Sequence, residues 1–173
     1  TSPQGVIGSI VLDIKKSINT FNKYRRTQLQ VDDSALRLAL QVEKISGISG
    51  CFQCHKKQTE FWKDTRHAKA YETLSQQGQS FNLQCLPCHV TAGKINASSD
   101  ESELVYLLSL GTDRQTIGCE VCHGPGNHHL LSPDESTPVR LPPEEICKQC
   151  HTADRDINFV YQKKLTAIAC PAD

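Results

Sequence analysis

The chain has 173 residues, 38% of them hydrophobic, and its 19 basic and 19 acidic side chains give a formal net charge of zero. Neutrality excludes the basic excess of a nucleic-acid binder, and no run approaches the roughly eighteen apolar residues of a transmembrane helix. What stands out is nine Cys and seven His with no Met, a cysteine content of about 5% that is too sparse for a small disulfide scaffold.

In chain order, Val6–Ile14 is rich in β-branched residues and Thr27–Val31 alternates, which predicts a small β element, a hairpin around the polar stretch 15–22. Asp32 and Asp33 then offer caps to a helix over 34–44. The glycines at 47 and 50 lead out of this N-terminal β/α segment, residues 1–48, into a second region over 49–173. There, short helices and loops alternate. The stretch 60–74 is made of helix formers and places His67, Tyr71 and Leu74 on one face. Pro142 and Pro143 followed by Glu144 and Glu145 start a short helix, and residues 157–169 read as extended chain packing back on the fold. Asn96-Ala-Ser98 fits a glycosylation sequon, a weak three-residue signal.

Eight of the nine cysteines fall into four pairs of one spacing, each followed directly by histidine. They are Cys51-Phe-Gln-Cys54-His55, Cys85-Leu-Pro-Cys88-His89, Cys119-Glu-Val-Cys122-His123 and Cys147-Lys-Gln-Cys150-His151. Cys-x-x-Cys-His is the attachment signature of a c-type haem. Two thiols add across the porphyrin vinyl groups, and the next residue supplies the proximal imidazole. Zinc ribbons and thioredoxin-like sites also use paired cysteines, but neither needs a following histidine. At about 4% histidine, four such coincidences have a chance of roughly three in a million. The cofactors expected are therefore four covalently bound haem c groups. The first cysteines, at 51, 85, 119 and 147, are too unevenly spaced for a solenoid repeat.

Four irons present eight axial positions, and the chain has seven histidines and no methionine. Beyond the four in the motifs there are His67, His128 and His129, all expected as metal ligands because a haem is present for every forty or so residues. At most three haems can then be bis-histidine within one chain. The fourth is five-coordinate, takes water or another side chain, or borrows a ligand from a neighbouring molecule. In an extended stretch the adjacent His128 and His129 point to opposite sides and could serve two haems; alternatively one of them bonds a propionate. Cys170 is left over, as a plain thiol, an intermolecular disulfide partner or a ligand of the incomplete haem. Porphyrin faces would supply much of the apolar surface of a polar domain of this kind.

The run from Gly50 to Ala70, with Cys85-Leu-Pro-Cys-His-Val and Gly118-Cys-Glu-Val-Cys-His-Gly-Pro-Gly, resembles the tetrahaem cytochrome c-554 family, whose members accept electrons from hydroxylamine oxidoreductase. The likeness covers residues 50–152. It implies a mainly α fold with little regular structure, a multihaem cytochrome c fold organised around four stacked covalent haems. It also implies His67 as distal ligand of the haem at His123, a histidine after Gly-Pro-Gly as distal ligand at His55, and a five-coordinate haem at His89. No histidine follows His151 in these residues, and one of the His128-His129 doublet is a candidate for the ligand that the family draws from a C-terminal extension. That doublet is similar to the adjacent histidines of outer-surface cytochromes that polymerise into conductive filaments.

The function expected first is electron transfer through closely stacked haems outside the cytoplasm, periplasmic or extracellular, with redox proteins as partners, no nucleic acid and no membrane span in these residues. The second is a subunit of a self-associating extracellular filament (a nanowire). The third is redox chemistry of nitric oxide or hydroxylamine type at one five-coordinate haem. An electron-transfer protein is favoured over an enzyme.

Overall fold

A computed structural model describes residues 3–28, 45–91, 107, 111–134 and 138–172. Regular structure among them is entirely helical, as the family resemblance implies. The helices are α1 (Pro3–Gln28), α2 (Ile48–Phe52), α3 (Lys56–Lys63), α4 (Ala70–Gln76), α5 (Cys119–His123), α6 (Asn127–Leu131), α7 (Glu144–Lys148) and α8 (Tyr161–Ile168), with single 3-10 turns at Leu86–Cys88 and Thr112–Arg114. None is long and apolar enough to cross a membrane. The helix expected over 34–44 and the sequon at Asn96 lie outside the described residues.

Three sequence expectations are overturned. Where a β element was expected near the N-terminus, the described residues 3–28 form one helix. Ile7, Ile10, Ile14, Ile18 and Phe21 satisfy the i, i+3, i+7 spacing of a helix as well as β propensity, and the longer period wins. Arg25 and Arg26 close the last turn, where cations meet the negative end of the helix dipole. Residues 157–169 are likewise not extended throughout: α8 occupies most of them. The single helix read over 60–74 is in fact two, α3 and α4, joined by turns that contain His67.

The helix α1 docks by its polar side. Asn19 Oδ1 accepts the Phe81 N–H at 2.7 Å, and the buried Asn22 donates Nδ2–H to the Phe81 carbonyl at 2.9 Å. Arg26 lies over the Phe81 ring, 5.6 Å from its centre. The apolar stripe of α1 remains in solvent, with Ile7 62% and Phe21 59% exposed.

Apolar burial elsewhere is slight. Ile45, Leu74, Leu86, Val90 and Leu107 form the core cluster, with Tyr71, Leu83 and Cys85 packed against it. Polar contacts fix the surrounding turns. Thr91 Oγ1 donates to the Thr116 carbonyl at 2.8 Å and accepts the Gly118 N–H at 3.0 Å, which seats the start of α5. Trp62 Nε1–H donates to the Ile117 carbonyl at 2.9 Å. Gly47 has φ +77°, and a Cβ there would run into Asp113, so glycine alone suits the turn that opens α2.

Candidate haem sites

Each Cys-x-x-Cys pair sits on a short helical turn, and the histidine follows where the turn ends. At the first and fourth motifs the His55 and His151 N–H groups both donate to the carbonyl of the first cysteine, at 2.9 Å. That i→i−4 bond brings the imidazole onto the side where the two thiols are presented. The four turns arise for local reasons. Gly47 opens α2, Pro87 shapes the 3-10 turn, Gly118 precedes α5, and Pro143 with Glu144 and Glu145 starts α7. All eight motif cysteines are free thiols, and no cluster of three or more metal-ligating side chains occurs among the described residues.

Three motif histidines have Nδ1 engaged. His89 donates Nδ1–H to the Ala70 carbonyl at 2.7 Å, His123 donates to the Val139 carbonyl, and His151 donates to Asp156 Oδ2 at 2.9 Å. With the proton held on Nδ1, the Nε2 lone pair is free for a metal.

Two further histidines face motif histidines. The His55 and His129 rings are stacked with centroids 6.3 Å apart and planes 27° apart, and His67 and His151 lie 6.0 Å apart at 65°. Two imidazoles sharing one iron need about 2 Å for each metal–nitrogen bond and about 1 Å from nitrogen to ring centre, which is roughly 6 Å in all. Both centroid separations match that figure. Burial, followed by the nearby His151, holds His67 below the ordinary histidine value. The family resemblance coupled His67 to the third motif, whereas the ring it meets here belongs to the fourth. The reason lies in the turn at 64–69, which the Ile117 N–H pins through the His67 carbonyl at 3.2 Å. The doublet is also not extended: His128 and His129 sit on α6, about 100° apart around the axis. His129 turns to His55 and His128 is exposed.

Sequence reasoning missed Glu120. This residue inside the third motif is 3% exposed and accepts the N–H groups of Ser46 at 2.8 Å, Gly47 at 2.8 Å and Gly126 at 2.7 Å. One carboxylate thus fixes the entry to α2, which carries the first motif, and the entry to α6, which carries His129. A glutamate between two cysteines carries no signal of this in the sequence. The Cys51 and Cys119 thiols hydrogen-bond to one another. That bond lowers the Cys51 value, and the same bond together with burial raises Cys119. The first and third motifs therefore abut. Burial first, then Cys147 and Cys170, push Cys122 up to about 11, so the third motif also meets the fourth and the C-terminal tail. Gln58 Nε2 ties that tail down through the Pro171 carbonyl at 3.0 Å. A cavity of about 380 Å³ lined by His67, His89, Cys88, Cys122, Cys150 and His151 opens between the second, third and fourth motifs.

Repeated Cys-x-x-Cys-His turns with imidazoles set opposite them define a multihaem c-type cytochrome. Residues 50–124 match the family described as cytochrome c554 and c-prime. The chain is also 35% identical, over 98 residues, to cytochrome c-554 of Nitrosomonas europaea, an alignment covering 47% of this chain and 39% of that protein. Through this segment it is similar to the c-554-like cytochromes, a likeness that supports covalently bound haem c as the cofactor. The chain thus spans well under half the length of that relative. No solved structure matches it.

Proposed function

We propose that this chain is a tetrahaem c-type cytochrome that relays electrons between redox proteins outside the cytoplasm. The observation that carries this reading is the pair of histidine couples, 6.3 Å and 6.0 Å apart, each formed by a motif histidine and a histidine from a separate turn. Cys51 and Cys54, Cys85 and Cys88, Cys119 and Cys122, and Cys147 and Cys150 hold the four haems by thioethers. His55, His89, His123 and His151 are the proximal ligands, with His129 opposite His55 and His67 opposite His151. Bound haem supplies a reversible one-electron centre. The protein supplies fixed ligands, an Nδ1 proton held in place at His89, His123 and His151, and motifs that abut so that the haems are close. Intact-mass spectrometry of protein matured with haem tests the count. Four haems are expected, and three in a Cys51→Ala, Cys54→Ala variant; four in that variant would overturn the assignment.

His89 and His123 share no ring contact with another histidine among the described residues, and His128 is the one histidine left. At least one haem is therefore without a second histidine from these 173 residues. The exposed position of His128 favours a second reading, in which it crosses to a neighbouring copy and completes a haem there, as in a filament. Binding of a small molecule such as nitric oxide or hydroxylamine at the open iron is the competing use of the same position. Size-exclusion chromatography with light scattering separates them, since only the filament predicts assembly that His128→Ala abolishes.

A further inference from the structure

The motif histidines do not have equivalent partners. His89 and His123 donate Nδ1–H to the neutral carbonyls of Ala70 and Val139, whereas His151 donates to a carboxylate, Asp156 Oδ2, at 2.9 Å. The arrangement is built. The Asp156 N–H donates to the Thr152 carbonyl at 2.8 Å, closing a turn directly after the fourth motif. Phe159 then stacks on the His151 ring with centroids 4.9 Å apart. One face of the ring is covered by Phe159, its edge is held by Asp156, and His67 lies beyond. The Asp156 charge is only partly offset, by Lys164 Nζ at 3.4 Å.

A carboxylate that accepts the outer N–H of a metal-bound imidazole makes the ligand more basic and electron-rich. Such a ligand favours the oxidised metal, as does fixed negative charge close by. Neutral carbonyls do this more weakly. We propose that Asp156 makes the haem held by Cys147, Cys150 and His151 the low-potential member of the set, with Lys164 limiting the effect. Asp156 is a positioning residue, acting through His151. The inference deepens the electron-relay reading and rests on its assignment of a haem to the fourth motif. It places one end of the electron path there, the end at which an electron is least retained.

The test is a redox titration of the holoprotein followed by EPR, with intact mass recorded for every variant. The haem at His151 is marked by the low-spin signal that His67→Ala removes. In the wild type that signal should have the lowest midpoint. Asp156→Asn keeps the side-chain shape and an acceptor oxygen but removes the charge, and should shift that midpoint upward while the others stay. Lys164→Gln, at an exposed position, should shift the same midpoint downward. Midpoints unmoved in both variants, or moved in the same direction, overturn the proposal while leaving the relay intact. A mass lacking haem on Cys147 and Cys150 in the wild type would remove the relay assignment itself.

Discussion

The two histidine couples are each supported by one carboxylate, but the carboxylates do different work. Glu120 touches neither His55 nor His129. It is buried and gathers three backbone N–H groups, from Ser46, Gly47 and Gly126, so that two turns are held at one separation. Asp156 is partly buried and touches His151 directly, where its charge reaches the ligand rather than the backbone. Near His55 the charge sets geometry, while near His151 it sets electronic character. A carboxylate beside a metal site is thus read by what it touches and not by its distance from the metal.

Removing Glu120 should give the largest effect. Glu120→Ala leaves three N–H groups in a buried site without their acceptor, a loss on the order of 3–5 kcal/mol. Thermal denaturation of the holoprotein should show a large fall in Tm, and the His55 haem should lose its low-spin signal as His129 moves away. Retention of both would mean that the two turns are held by something else.

The distal histidines sharpen the comparison by separating the couples. His129→Ala and His67→Ala should each turn a different low-spin haem high-spin with the number of attached haems unchanged, and the double variant should convert two. If both single variants removed the same EPR signal, the pairing drawn from the ring geometry would be wrong. His128→Ala in dilute protein should leave every spin state as it is.

Smaller effects lie outside the couples. Trp62→Phe removes the Nε1–H donated to the Ile117 carbonyl at 2.9 Å, which should lower stability by about 1 kcal/mol in denaturant titration. Breaking the exposed Lys63–Glu60 pair with Lys63→Ala should change stability by no more than about 0.5 kcal/mol.

How much of this was legible in the sequence depends on how local each feature is. The four motifs are fully local, because thiol spacing and the next residue decide them, and the Pro143-Glu144-Glu145 start of α7 is local too. The ligand shortfall followed from counting alone. The partner of His67 did not, because it depends on a turn at 64–69 and a hydrogen bond to Ile117, far along the chain. His129, rather than His128, comes to face His55 only once the Gly124-Pro125-Gly126 turn passes into α6. Residues 6–28 misled because a run of isoleucine and valine suits both strand and helix, and α1 packs its polar side inward, against the usual pattern.

The most direct test of the central claim is the EPR spectrum of the fully oxidised wild-type holoprotein at high dilution. The account predicts two low-spin haems from the His55–His129 and His67–His151 couples and a high-spin signal from at least one of the haems at His89 and His123. Four low-spin haems and no high-spin signal would contradict it, since an axial ligand beyond these seven histidines would then be in place.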